Sequence, residues 1–254
     1  MHRAPNPGPM TLDGTNSYVI GGEDGPVTVV DPGPPDPTHL GVLAARPVAL
    51  VLITHRHLDH TESAEAFGRM TGAPVRALDP VHCHGGGAPL AAGERIAPGG
   101  VPIVVVGTPG HTADSVCFHL PEDGPLDGSP GHGSVLTGDT ILGRGTTVLA
   151  PPDGDLGDYL ATLRVLIGLG DCHVLPAHGS DLTSLAAIAS EYQAHREERL
   201  DQIRAALATL GGDASVGAVT DLVYSDVEPE VRWAAEQSVG AQLAYLRRLP
   251  GPAS

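Results

Sequence analysis

The chain reads as an α/β protein with a helical tail. Up to about Ser184, short apolar runs rich in branched residues alternate with glycine-rich turns and helical segments; beyond it, the apolar residues recur only at helical spacing. The 254 residues, 41% hydrophobic, with 34 Gly and 24 Pro, suffice for one large core in a loop-rich globular fold. The expected division is 1–183 for the mixed α/β part and 184–254 for the tail.

The first clear strand is Val27-Thr28-Val29-Val30, closed by Asp31 at the turn Asp31-Pro32-Gly33. A helix over Thr38 to Ala45 follows. Val48-Ala49-Leu50-Val51-Leu52-Ile53 is short, continuous and branched, as a strand buried on both faces must be. A helix over Ser63 to Thr71 comes next, and then two further strands, Val101 to Val106 and the run around Val116-Cys117-Phe118, where Cys117 reads as core. Ser134-Val135-Leu136-Thr137-Gly138 is a strand, Asp158 to Leu169 a helix, and His173-Val174-Leu175-Pro176-Ala177 the last strand. The tail reads as three helices, Ser184 to Leu210, Ser215 to Tyr224 and Pro229 to Leu249, with Gly211-Gly212-Asp213 breaking the first.

Directly behind the strand ending at Ile53 lies Thr54-His55-Arg56-His57-Leu58-Asp59-His60-Thr61, with three imidazoles and a carboxylate in six positions. Neutral nitrogen and anionic oxygen donors at this density suit a borderline-soft divalent cation such as zinc, whereas folding gains nothing from them. On a loop leaving the strand, His55 and His57 can face one point while Asp59 and His60 face a second. Three more donors stand where an apolar strand ends in a small-residue turn: His111 after Thr108-Pro109-Gly110, Asp139 after Gly138, and His178 before Gly179.

The order His-x-His-x-Asp-His, then His, Asp and His, resembles the metallo-β-lactamase superfamily. That resemblance implies an αββα sandwich, with two mixed sheets face to face, helices outside, and metals at one sheet edge. It assigns His55, His57 and His111 to one metal, Asp59, His60 and His178 to the other, and Asp139 to the bridge. Asp31 is similar to a carboxylate that fixes a ligand histidine, while its local sequence is equally suited to capping the turn. No cysteine stands at Asp139 and no glutamate at His57, so the chain resembles the glyoxalase-II, ribonuclease and thioesterase branches. Asn6 to Tyr18 and Thr137 to Val148 look like the β-lactamase-like protein 2 branch, and the chain is similar also to fungal polyketide thioesterases of the same branch. The tail resembles a winged-helix-like cap, although the stretch after Leu249 leaves no room for a β wing.

Two Zn(2+) per chain are therefore expected, with iron or manganese able to occupy similar ligands. Paired divalent charge acidifies water and polarises a substrate oxygen, so hydrolysis is the natural outcome, with Asp59 and Asp139 closest to the chemistry. The expected substrate is a small ester, thioester or related acyl compound, shaped by the glycine-rich loops near Gly85 and Gly143. Arg144 is either an anchor for a substrate anion or a solvated loop charge.

The alternative reading is a metal-dependent single-strand endoribonuclease. The formal charge of −16, the absence of Lys, and ten acidic residues against six Arg from Ser184 onward disfavour nucleic acid without barring it. A catalytically silent metal-binding protein would show an eroded ligand, and none is missing. No apolar run reaches membrane-spanning length, Met1 to Pro7 lacks an export segment, and Cys83, Cys117 and Cys172 form no paired spacing, so a cytoplasmic protein without disulfides is expected. His82 and His84 beside Gly85-Gly86-Gly87 read as a mobile loop without metal, and the stripe through Leu243 and Leu246 is compatible with a homodimer.

Overall fold

The computed structural model describes residues 1–124 and 133–249. The first sheet runs β1 (His2–Arg3), β2 (Asn16–Ile20), β3 (Val27–Val30), β4 (Val48–Leu52) and β5 (Val75–Arg76), in that spatial order. The second comprises β6 (Arg95–Ile96), β7 (Ile103–Gly107), β8 (Val116–Leu120), β9 (Ser134–Gly138) and β10 (His173–Pro176), in the order β10-β9-β8-β7-β6. The helices are α1 (Pro37–Leu43), α2 (Leu58–Thr61), α3 (Ala64–Thr71), α4 (Leu156–Gly168), α5 (Leu185–Leu210), α6 (Val216–Val223) and α7 (Arg232–Arg248).

The two-residue period of the strands creates the layers. Val30, Leu50 and Leu52 of the first sheet pack against Ile103, Val105, Phe118 and Leu136 of the second, which forms the core between the sheets. The alternate residues Val27, Val29 and Val51 face outward onto Leu40, Leu43 and Phe67 of α1 and α3. On the other side Cys117, Val135 and Val174 meet Tyr159, Leu163 and Leu166 of α4 and Leu185, Ala189 and Tyr192 of α5. The result is the helix–sheet–sheet–helix sandwich the sequence implied.

The first turns of α5 therefore pack in the same core as β8, β9 and β10. Only from Ile203 onward do the tail helices share a separate cluster, with Ala206, Val219, Val239 and Leu243.

β3, β4 and β5 run parallel to one another, as do β9 and β10; β7 shares the direction of β9, because both are antiparallel to β8. The loops carrying Asp31, His55, His111, Asp139 and His178 leave the carboxyl ends of strands or follow them closely.

Helix starts differ from the sequence expectation by one to three residues: a 3-10 turn over Pro229–Val231 precedes α7, and side-chain caps set the starts of α1 and α4. Asp36 accepts from His39 N–H ahead of Pro37, and Asp155, rather than Asp158, caps α4 by accepting from Asp158 N–H. Asp59 and His60 lie on α2 and not on an open loop; four residues are too few to display a helical period, yet His57 O accepts from the N–H groups of His60 and Thr61. The segment 85–87, expected as a mobile loop, leaves a short backbone pairing. Val75 and His84 exchange backbone hydrogen bonds, and Gly87 rests so close to Val75 O that a Cβ would lie 2.0 Å from it. The stretch 250–254, which bore on the β wing, lies outside the described residues.

Candidate metal centre

Two glycines let the backbone deliver ligands to the rim. Gly110 at φ +137 brings the chain against α4, where a Cβ would lie 2.5 Å from Tyr159 Cα, and leads directly into His111. Gly138 at φ +52 turns β9 into Asp139 beside Thr54. Asp31 adopts φ 50 without being glycine, a conformation its short polar side chain tolerates and its hydrogen bonds hold.

The seven donors converge as two groups. His55, His57, His111 and Asp139 bring one ligand atom each to within 4.8 Å of one another, and so do Asp59, His60 and His178. His57 Nδ1 lies 3.0 Å from His55 Nε2 and 3.0 Å from His111 Nε2. His178 Nε2 is 3.1 Å from Asp59 Oδ2, and His60 Nε2 is 3.3 Å from the same oxygen. Asp139 reaches both groups: Oδ1 is 3.2 Å from His178 and 3.5 Å from His60, while Oδ2 is 3.7 Å from His111 and 4.0 Å from His55.

The outer nitrogens fix which atoms face inward. Asp31 Oδ1 accepts from Thr54 N–H at 2.8 Å and Oδ2 from Thr54 Oγ1 at 2.6 Å, so the Thr54 hydroxyl is left to accept from His55 Nδ1 at 3.1 Å. The same Oδ2 accepts from His60 Nδ1 at 2.9 Å. A single buried carboxylate thus orients one histidine of each group, so Asp31 does more than cap its turn. His111 Nδ1 donates toward Val148 O, 2.9 Å away, with Thr147 Oγ1 at the same distance, and His178 Nδ1 faces Gly14 O at 3.4 Å.

Divalent cations fit this arrangement. With the Nδ1 protons of His55 and His111 engaged outward, their Nε2 lone pairs converge on His57 Nδ1, which can donate at most one proton between them. Ligands of a tetrahedral zinc–nitrogen site lie about 3.3 Å apart, close to the spacing found. His60 Nε2, His178 Nε2 and Asp139 Oδ1 are buried and, although the nitrogens lie 3.5 and 3.2 Å from the oxygen as ion pairs, make no well-aligned hydrogen bond among the described residues, as suits atoms aimed at a common cation rather than at one another.

Electrostatics divides the two groups. Burial, together with the neighbouring imidazoles, pushes His55 well below the ordinary range, and burial lowers His57 and His111 as well. Burial opposes the charged form of His60, but Asp139, Asp31 and Asp59 carry it well above the ordinary range. His178 is raised to about 9 by Asp139 and Asp59 against the same desolvation. Asp59 and Asp139 are held low by His60 and His178, again against burial.

The Metallo-beta-lactamase superfamily model matches residues 10–178, the span that includes every one of these donors. The chain belongs to the metallo-beta-lactamase superfamily. It is 35% identical over 212 residues to the lactamase-like protein nscB of Neosartorya fischeri, covering 80% of this chain and 59% of that one. It is 30% identical over 260 residues to the beta-lactamase-like protein 2 homolog of Caenorhabditis elegans, covering 95% and 81%. The chain thus spans less than two thirds of the nscB protein's length. A metallo-beta-lactamase family protein of Thermus thermophilus superposes with TM-score 0.76 at 23% identity, covering 96% of this chain and 91% of that one. ETHE1 from Myxococcus xanthus does so with TM-score 0.59 at 28% identity, over 74% and 86%. Membership places the chain in a superfamily of metal-binding hydrolases, and no helix among the described residues is long and apolar enough to cross a membrane.

The Arg144 side chain is 65% exposed and lies 3.7 Å from Asp13. Gly143 is not free loop, since it donates to His178 O and presses against Ser180, where a Cβ would lie 2.2 Å from the carbonyl oxygen. His82 and His84 join no donor cluster among the described residues, and no disulfide links Cys83, Cys117 and Cys172.

Thr54, Thr147 and Val148 left no sign in the sequence, because they set ring orientations through a hydroxyl or a carbonyl of a kind found in every loop. Arg56 was likewise passed over; it pairs with Asp153 at 2.7 Å and ties the ligand loop to the segment before α4.

Proposed function

We propose that the chain is a dinuclear zinc hydrolase acting on a small ester, thioester or related acyl substrate. The observation that carries this reading is the reach of Asp139, whose two oxygens face opposite donor groups. His55, His57 and His111 would hold one ion, Asp59, His60 and His178 the other, and Asp139 both. Bound there, two divalent ions supply Lewis-acid polarisation of a substrate oxygen and acidify a water molecule.

The protein's own groups supply the rest. Asp59 stays ionised through neutral pH, because its carboxyl is held well below the usual range, and its side chain, 26% exposed, reaches both the cluster and solvent. It can therefore accept a hydrogen bond from the attacking water and orient it. Asp31 keeps the Nε2 atoms of His55 and His60 facing inward by occupying or backing their Nδ1 protons. Arg144, more than half exposed and facing Asp13, suits a solvated charge better than an anchor.

Acidic composition favours small substrates over a polyanion. Metal analysis of the purified chain, followed by a panel of esters, thioesters and labelled single-stranded RNA, tests the proposal. Near two metals per chain with acyl turnover supports it. RNA cleavage without acyl turnover would replace it with the endoribonuclease reading, and fewer than one metal with no turnover would remove it.

A further inference from the structure

Arg196 is a buried cation that packing alone does not explain. Its side chain, midway along α5, is 2% exposed, and its Nε has no hydrogen-bond partner among the described residues. A carbonyl and an aromatic face hold it: Nη2 donates to Thr147 O at 2.5 Å, and the guanidinium carbon lies 5.2 Å from the Tyr159 ring centroid. Removing a guanidinium from water without a carboxylate opposite is costly. A fold that keeps one there gains something a methionine of similar bulk would not supply.

What Arg196 grips is the peptide that orients a proposed ligand. Thr147 Oγ1 and Val148 O each lie 2.9 Å from His111 Nδ1, so the Thr147-Val148 segment turns the His111 Nε2 lone pair toward His57 and Asp139. Other helical side chains grip the same loop nearer Asp139. Tyr192 Oη accepts from Leu142 N–H and lies 2.7 Å from Gly145 O, to which it donates, while Tyr159 Oη donates to Thr140 O at 2.6 Å. Arg196 adds the charged contact, at the end of the loop that meets His111.

We propose that Arg196 is a positioning residue for the metal centre, setting the angle and tautomer of His111 through the Thr147 carbonyl and thereby the affinity of the three-histidine subsite for a divalent ion. The inference rests on the metal-binding reading above. It makes the tail helix α5 a working part of the centre rather than a cover.

The test is zinc titration into the metal-free full-length chain against a chromogenic chelator, with cobalt-loaded absorption spectra in parallel. In Arg196→Met one of the two zincs should bind about 10- to 100-fold more weakly, the range for lost partners of a ligating histidine, while the other is unchanged. Arg196→Lys, which keeps a donor for the Thr147 carbonyl, should lose less. Thr147→Val should weaken the same site, and combining it with Arg196→Met should cost less than the sum of the two, because both act through one segment. The cobalt bands should shift in Arg196→Met and Thr147→Val alike. Wild-type affinities and bands in Arg196→Met overturn the inference, whatever happens to its melting temperature. If Arg196→Met does not fold, unaltered bands in both Arg196→Lys and Thr147→Val overturn it. A wild-type chain that takes up no metal defeats the parent reading before any substitution is made.

Discussion

The two halves of the donor cluster solve opposite problems. His55, His57 and His111 are three imidazoles crowded together and pushed toward neutrality, so that half offers lone pairs at once. Asp59, His60 and His178 surround two raised imidazoles with carboxylates, so that half without metal holds protons in place of a cation. A metal entering the first displaces little, whereas a metal entering the second must displace protons. Asp139 is shared, and the difference between the halves predicts which substitutions strike both and which strike one.

The largest effect should come from Asp139→Asn. An amide cannot balance the imidazoles on both sides, so metal content should fall and kcat/KM for any substrate found should drop by about 1,000-fold or more, as for a group acting as part of a unit. Elemental analysis with steady-state kinetics checks it. A variant that keeps both metals and wild-type turnover would break the claim that Asp139 links the halves.

Asp31→Asn comes next. Asp31 touches one histidine of each half through Thr54 and His60, so the affinity for both metals should fall by about 10- to 100-fold, read by the same chelator competition. An effect confined to one metal would sharpen the comparison by showing that the Thr54 relay to His55 carries nothing.

How much of this the sequence disclosed follows from the kind of signal each part leaves. The seven donors were legible because histidine and aspartate at strand ends have few other reasons to cluster, and the layers because β3, β4, β8 and β9 are runs whose alternate residues must face two different cores. The short strands β1, β5 and β6, of two residues each, left no period to read. Asp31 stayed ambiguous because Asp31-Pro32-Gly33 is also an ordinary turn. Arg196 was invisible since an arginine on a helix normally faces solvent, and only the packing of α5 against β8, β9 and β10 shows that this one does not.

Melting temperature against pH, with and without zinc, probes the halves without mutation. His178, at about 9 in the folded chain, lies above its unfolded value of about 6.5. Its contribution to metal-free stability is therefore complete below the unfolded value and lost as pH rises through the folded one. His55, His57 and His111 are lowered, so their contribution is present above the unfolded value and lost as pH falls below it. The metal-free chain should be most stable near neutrality and should soften toward pH 9, while the zinc-loaded chain, its His178 proton already displaced, should not soften there. A metal-free curve flat from pH 7 to 9 would remove the proton-holding role from the second half.

The smallest effect should be Arg144→Ala. It pairs with Asp13 at 3.7 Å, and both side chains are more than half exposed, a setting in which ion pairs contribute at most about 1 kcal/mol. Stability should change by about 0.5 kcal/mol or less, and KM and kcat on an acyl substrate should stay near wild type. A raised KM at constant metal content would instead show that an anionic substrate reaches past the two halves to the loop after Asp139, giving the cluster a third region and restoring Arg144 as its anchor.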